Sequence, residues 1–463
     1  MATSPLISPD IFKMYDIRGV FGSDLTVEGA ELIGKAAGTY FQENNVRSVV
    51  VGRDNRISGP EISKAIIKGL LSTGCDVVDV DMVITPMIYF SWHELDGNAT
   101  AMITASHNPP EYNGFKLALS KKPLVGPDYQ EILKIGLSGN FKEGQGKVEK
   151  HDIWPAYKKR ILQDIKLLRP LKVVIDTGNG TTSPFAPELF RELGCEVVEL
   201  FTESDGRFPN HPPYPQKTEF YAELIKNIKD KKATVGLAFD GDGDRLGVYD
   251  EEGNFIQNDL LAMLFARDIL KKSIGAPVVV NTSTSRVVLE DIENHGGKPI
   301  IWKTGYPFIT EKMRELSAPF GAEISGHFFF NDRYFGFDDA LYAAARFVEL
   351  LGMSNSPASS LLVDAPVYMS TPEFRIGVPG GTDKFKIPGA VAAELKVKFP
   401  EVTILDFDGV RFSFPDKSWG LIRPSNTEPL LTGRAEAKDP ARLSELKGIM
   451  EAELAKYSIK LDW

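Results

Sequence analysis

The feature that most constrains this chain is a weak internal repeat. Val49-Val50-Val51-Gly52-Arg53-Asp54, Val173-Val174-Ile175-Asp176-Thr177-Gly178 and Val278-Val279-Val280-Asn281-Thr282-Ser283 each read as a buried strand ending in a polar turn. Each is followed by a helical pattern and a second short strand: Gly74-Cys75-Asp76-Val77-Val78-Asp79, Gly194-Cys195-Glu196-Val197-Val198-Glu199 and Gly297-Lys298-Pro299-Ile300-Ile301. Strand, crossover helix and strand is the βαβ unit of a mainly parallel sheet. Three copies predict three related α/β domains, although short apolar runs of this kind occur in any α/β protein. From Pro366 to Phe374 an extended, proline-bounded stretch begins, and shorter strands alternate with helices after it. This predicts a fourth, α+β domain. The length of 463 residues accommodates three domains of roughly 150 residues or four smaller ones.

The formal charge of -10 argues against a general nucleic-acid surface, which needs a basic face. Anionic substrates stay open, since a few Arg and Lys can be gathered at one place. Two cysteines, Cys75 and Cys195, predict no disulfide framework and fit a reducing compartment. Both lie on the way into a repeat strand and are expected to be buried. The N-terminus lacks a basic region followed by an apolar run, and no apolar stretch reaches transmembrane length. The expectation is a cytoplasmic chain without membrane or nucleic-acid partners.

Four segments carry chemistry. In Thr104-Ala105-Ser106-His107-Asn108-Pro109-Pro110 a serine stands at a strand end before a proline turn, where exposure and reactivity are expected. Serine needs a base or cation to act as a nucleophile, and adjacency of His107 does not by itself supply one. A plain polar loop fits the same residues. Asp240-Gly241-Asp242-Gly243-Asp244-Arg245 places carboxylates at alternate positions with glycines that permit a tight turn. Such a loop suits one hard cation, and without a cation its charges repel. An EF-hand is excluded because its sixth position holds Arg245 instead of glycine, and the flanks read as strands. Arg423-Pro424-Ser425-Asn426-Thr427-Glu428-Pro429 is dense in donors for a phosphate, or is a capped turn. In Glu323-Ile324-Ser325-Gly326-His327, Glu323 and Ser325 point the same way on an extended segment and suit a polyol; a surface strand end is the plainer reading. Gly178-Asn179-Gly180-Thr181-Thr182 lacks the third glycine of a dinucleotide loop and the lysine of a P-loop, and reads as a strand-to-helix turn. His93, His151, His211 and His295 show no partner pattern.

Taken in order, these segments resemble the α-D-phosphohexomutase superfamily, most closely its bacterial phosphomannomutase/phosphoglucomutase branch. The resemblance runs from Tyr15-Asp16-Ile17-Arg18-Gly19 to Arg434. It implies four domains around a central cleft: residues 1–152 with a phosphoserine, 153–256 with the metal loop, 257–367 with the sugar loop and 368–463 with the phosphate loop. It makes Ser106 the phosphoserine, whose phosphate completes a site for one Mg²⁺ with Asp240, Asp242 and Asp244. Arg18, Lys116, Arg245 and His107 would lie about the transferring group, with Lys116 and His327 as general acid and base. Tyr15, Tyr306, Glu323, Ser325, His327, Arg423, Ser425, Asn426, Thr427 and Arg434 would bind the phosphosugar. Phosphoglucosamine mutases usually carry Gly at the position of Asn426 and a Gly-Thr-Asp-Gly-Ile-Arg-Gly start, so glucose and mannose phosphates are favoured. Two departures bear on substrate preference: Tyr306 replaces a usual histidine, and Ser283 stands where several relatives have lysine.

The implied reaction interconverts hexose 1- and 6-phosphates through a hexose 1,6-bisphosphate that turns end for end, with mobility of the fourth domain allowing the turn. A phosphatase using the same phosphoserine, a phosphoglucosamine mutase and a non-catalytic sugar-phosphate binder are the alternatives. A separate phosphate grip at Arg423 argues against the first, and Ser106 beside an intact acidic triad against the last.

Overall fold

The computed structural model describes residues 7–95, 97–354, 356–425, 428–461 and 463. They form two compact units. The first comprises residues 1–258 and 325–361, the second 259–324 and 362–463.

All three repeat copies fold as βαβ. Strand Ser48–Arg53 pairs in parallel with Asp76–Met82 across helix Gly59–Ser72. Lys172–Asp176 pairs in parallel with Glu196–Leu200, and Pro277–Asn281 with Lys298–Trp302. The valine and isoleucine side chains of the first strands are buried, as expected when helices cover both sheet faces. Cys75 and Cys195 are buried and unbridged.

In the first unit, one sheet runs in the order Ile17–Val20, Tyr112–Leu119, Ala99–Ile103, Ser48–Arg53, Asp76–Met82, Val148–Lys150. Antiparallel pairing of Ala99–Ile103 with Tyr112–Leu119 sets Met102 opposite Lys116 and so fixes the lysine beside the loop that carries Ser106. The unit's other sheet includes the antiparallel pair Val235–Phe239 and Leu246–Tyr249, and the acidic loop is the turn between them. Strands on both sides confirm the exclusion of an EF-hand. Residues 177–185 make the expected turn from strand to helix Ala186–Glu192.

In the second unit, Pro277–Asn281 also pairs in parallel with Phe320–Ala322. The C-terminal part is an antiparallel sheet, with Val410–Ser413, Trp419–Pro424 and Leu430–Ala437 at its centre. Helices Ile387–Lys398 and Pro440–Ala455 pack on it through Val391, Leu395, Leu446 and Met450 against Phe412, Ile422 and Leu431. The protein is therefore mixed α/β, three α/β/α domains followed by a domain built on an antiparallel sheet. Among the described residues no helix is long and apolar enough to cross a membrane.

Candidate functional site

Strand Ala99–Ile103 delivers Ser106 into a left-handed backbone conformation, φ 51°. The Thr104 hydroxyl accepts the Ser106 N–H at 2.8 Å. The rest of the loop is held by Arg56, whose side chain is wholly buried. Its Nη2 donates to the carbonyls of Ser106 (2.8 Å) and Asn108 (2.7 Å). Its Nη1 donates to those of Pro109 (2.5 Å) and Tyr112 (3.0 Å), and its Nε to Asp54 at 3.1 Å. An arginine has five N–H donors, and here all five are used.

The acidic loop lies against this one. A Cβ on Gly241 would run into the Ser106 carbonyl oxygen, and Gly243 turns the chain at φ 72°. Glycine at both positions lets the carboxylates approach the serine. Ser106 Oγ donates to Asp240 Oδ2 at 2.9 Å. The other Asp240 oxygen accepts the backbone N–H groups of Asp244 and Arg245, each at 3.1 Å. Asp242 Oδ2 accepts from Thr85 Oγ1 at 2.6 Å and from Lys116 Nζ at 2.7 Å, while Lys116 Nζ reaches Asp244 Oδ2 at 2.5 Å. All three carboxylates are buried. Burial and the charges of Asp244 and Asp242 push Asp240 well above the usual carboxylate range. Burial would raise Asp242 too, but the Lys116 ammonium outweighs it and holds that carboxyl low.

The loop fits a hard cation. Its carboxylate oxygens cluster within 4.8 Å of one another, and among the described residues Asp242 Oδ1 and Asp244 Oδ1 are buried with no hydrogen-bond partner. Lys116 and Arg245 stand beside these carboxylates, and oxygen-only donors suit Mg²⁺ or Ca²⁺.

Arg245 Nε donates to His327 Nε2 at 3.0 Å. That nitrogen therefore carries a lone pair, and the ring proton sits on Nδ1, facing Asp338 Oδ2 at 2.8 Å. A second cluster of metal-ligand type, Asp244, His327 and Asp338, is on this ground a histidine–carboxylate dyad. Burial lowers the His327 pKa, but the charge of Asp244 and the bond to Asp338 override it, and the net shift is upward. His107 is the opposite case: burial, with Arg245 and Arg18 nearby, pushes it well down and keeps it neutral. Its Nδ1 lies 3.1 Å from Ser106 Oγ, and its ring packs on Tyr214 with centroids 4.6 Å apart. Arg18 donates to Asn108 Oδ1 at 2.7 Å and to Asp16 Oδ2 at 2.5 Å.

The first unit thus brings together Arg18, Ser106, His107, Lys116, Asp240, Asp242, Asp244, Arg245 and His327. In the second unit, buried Glu323 accepts the Gly305 N–H at 2.6 Å. Tyr306 opens helix Tyr306–Leu316 and is buried. Arg423 lies at the end of strand Trp419–Pro424, with Nε and Nη1 buried and without a hydrogen-bond partner among the described residues, and Nε 3.9 Å from Asp408. Arg434 pairs with Glu436 at 3.2 Å and lies over the Trp419 ring. Ser425 Oγ accepts the Glu428 N–H at 3.1 Å. Asn426 and Thr427 lie outside the described residues.

Three expectations are corrected. Ser106 is buried, not exposed, because the acidic loop packs against its own loop at Gly241. Glu323 and Ser325 are not on one extended segment: the strand ends at Ala322 and the chain turns at Ile324–Ser325. The acidic loop is not left to repel itself: Lys116 pairs with Asp242 and Asp244, and Arg245 lies 4.0 Å from Asp244. His211 also has a partner, Asp176, at 3.2 Å. Arg56 and Asp338 were missed. The only sequence signal for Arg56 is its place in a polar turn after a repeat strand. Asp338 shows as an acidic pair with Asp339 after an aromatic run.

Family models for phosphoglucomutase/phosphomannomutase match in series: α/β/α domain I over residues 9–142, domain II over 155–253, domain III over 257–368 and the C-terminal domain over 382–453. The phosphomannomutase/phosphoglucomutase of Pseudomonas aeruginosa is 42% identical over 453 residues, covering 98% of this chain and 97% of the relative. A phosphoglucomutase of Neisseria gonorrhoeae is 44% identical over 449 residues, covering 96% and 97%. Among solved structures, a phosphoglucomutase/phosphomannomutase family protein from Burkholderia thailandensis superposes with a TM-score of 0.92 at 40% identity, covering 98% of this chain and 99% of that one.

Proposed function

This chain belongs to the phosphoglucomutase/phosphomannomutase family, and we propose that it interconverts the 1- and 6-phosphates of glucose and mannose through a phosphoserine at Ser106. The observation that carries the assignment to Ser106 is its Oγ at 2.9 Å from Asp240 Oδ2, inside a buried group of carboxylates and cations. A phosphorylated Ser106 adds strong anionic oxygens beside Arg18, Arg245 and Lys116, the charges that a phosphoryl transition state requires.

In the transfer, the bond from Ser106 Oγ to phosphorus breaks while a sugar hydroxyl oxygen bonds to phosphorus. The hydroxyl proton must leave. Lys116, ion-paired with Asp242 and Asp244, has no lone pair to offer and is assigned the acid, its ammonium giving a proton to the Ser106 oxygen that leaves with the electron pair of the broken bond. His327 Nε2 has a lone pair, occupied by the Arg245 N–H until that guanidinium turns to the phosphoryl oxygens, and with its ring held by the Nδ1–Asp338 contact it is assigned the base. Lys116 and Arg245 neutralise charge, and His107 stays neutral beside the serine. Mg²⁺, held by Asp240, Asp242, Asp244 and an oxygen of the serine phosphate, would add Lewis-acid stabilisation of the transferring group. Glu323, Tyr306 and Ser325 are assigned to sugar hydroxyls with Tyr15, and Arg423, Ser425 and Arg434 to the phosphate that is not transferred, with Asn426 and Thr427. The bisphosphate then turns and returns its original phosphate to Ser106. Domains at 1–152, 153–256, 257–367 and 368–463 accompany this reading, as does a cytoplasmic setting, in which two unbridged thiols persist.

The test is a coupled assay of purified protein with glucose 1-phosphate and mannose 1-phosphate, primed with glucose 1,6-bisphosphate. Formation of both 6-phosphates supports the reading. Release of inorganic phosphate without isomerisation would replace it with a phosphatase.

A further inference from the structure

We propose that Asp408 is a positioning residue that keeps the sugar-reading and phosphate-reading parts of the second unit in one register. The inference rests on the roles assigned above to Glu323 and Arg423.

Asp408 Oδ2 accepts two bonds, from the Thr304 N–H at 2.8 Å and from Thr282 Oγ1 at 2.9 Å. The next peptide N–H along the chain, that of Gly305, donates to Glu323 at 2.6 Å. Two successive backbone donors thus end on two carboxylates, one facing Arg423 and one assigned to the sugar. The turn carrying Asp408 is seated against the Arg423 backbone. A Cβ on Gly409 would lie 2.5 Å from the Ile422 carbonyl oxygen and 2.7 Å from Arg423 Cα, and Gly409 has φ 83°. No other residue fits there without moving the turn.

Arg411 completes the clamp. Its Nη1 donates to the carbonyls of Thr282 (2.5 Å) and Thr284 (2.8 Å), and its guanidinium stacks on Trp419 at 3.6 Å. Asp408 and Arg411 therefore hold the loop around Ser283 by a hydroxyl and two carbonyls. A shift at Asp408 moves Arg423, the Ser283 loop and the Thr304–Gly305 peptide together, and Glu323 with them.

A carboxylate 3.9 Å from a phosphate-binding arginine opposes anion binding on charge alone. Its use here is as an acceptor for Thr304 and Thr282. At that distance it orients Arg423 without saturating it, and the Nε and Nη1 donors stay available to phosphate oxygens. The acceptor oxygen and the negative charge thus have opposite effects, which two substitutions separate. Asp408→Ala removes both, whereas Asp408→Asn retains an oxygen for the two donors.

Steady-state kinetics with glucose 1-phosphate and with glucose 6-phosphate read the effect. For Asp408→Ala, KM rises more than about tenfold for both substrates by a similar factor, with kcat within about threefold, because the same donors grip the resting phosphate in either orientation. Asp408→Asn recovers KM to within about threefold of wild type. KM for Asp408→Ala within threefold of wild type, or equal impairment of the two variants, overturns the inference. If Asp408→Ala shows no cooperative thermal transition, Thr282→Val takes its place: KM several-fold higher supports the clamp, and unchanged KM refutes it. A wild type without mutase turnover sinks the functional reading, and this inference with it.

Discussion

Replacing Arg56 with lysine isolates the device that holds the reactive serine in place. Arg56 uses all five donors, four on carbonyls of residues 106 to 112 and one on Asp54. Lysine keeps the charge but has three donors, so at least two of these buried acceptors lose their partner. An unsatisfied buried acceptor costs about 1–3 kcal/mol, which gives a loss of at least about 2 kcal/mol. At about 2–4 °C per kcal/mol, the thermal midpoint falls by about 4 °C or more. The effect on turnover is larger than on folding. A displacement of the Ser106 carbonyl on the order of 1 Å misaligns the Oγ, and such misplacement costs about a hundredfold in rate. KM stays close to wild type, since every donor of Arg56 is spent on the backbone of residues 106 to 112 and on Asp54. Differential scanning calorimetry and the coupled mutase assay give both quantities from one preparation. An Arg56→Lys enzyme with wild-type melting and kcat within threefold would refute the reasoning.

Asp242→Asn should raise the Mg²⁺ concentration for half-maximal activity by about tenfold or more, since the loop loses one of three hard charged ligands; excess chelator should stop turnover in wild type, and full activity in chelator would contradict the assignment. Asp339, raised by burial to about 7 despite bonds from Tyr157 and Tyr334, should make stability fall as pH rises. The folded state keeps a proton that the unfolded state releases near its ordinary value, so the stabilisation is present below that value and is lost up to about 7, by about 2–3 kcal/mol between pH 5 and 7. Melting curves of Asp339→Asn should lack this slope, and an identical slope in the variant would assign it elsewhere. Glucose and mannose 1-phosphate should differ by no more than about tenfold in kcat/KM, or roughly 1.4 kcal/mol, because the groups assigned to the sugar include none dedicated to C2. A wild-type preference above about a hundredfold that collapses in Tyr306→His would make buried Tyr306 the selector instead.

What was legible in the sequence is what is local. Three valine-rich runs between turn residues announce buried parallel strands, and the acidic loop reads as a cation site because its ligands are two residues apart. Ser106 was placed at a strand end by its neighbours alone. What was not legible depends on pairings distant in the chain. Nothing near Lys116 signals that its ammonium meets Asp242 and Asp244, over a hundred residues on. Arg56 looks like a surface turn residue until the carbonyls of 106 to 112 are packed on it. The burial of Ser106 follows from the close approach of Gly241, a tertiary fact. The turn at Ser325 escaped for a different reason: alternation of polar residues over three positions does not distinguish a strand from a tight turn.

The central claim is that the phosphoryl group passes through Ser106. Protein incubated with glucose 1,6-bisphosphate and Mg²⁺, then digested and mapped by mass spectrometry, tests it most directly. One phosphate on the peptide holding Ser106, discharged on adding glucose 1-phosphate and absent from Ser106→Ala, is the expected result. Phosphate on another residue, with Ser106→Ala retaining full turnover, would contradict the account.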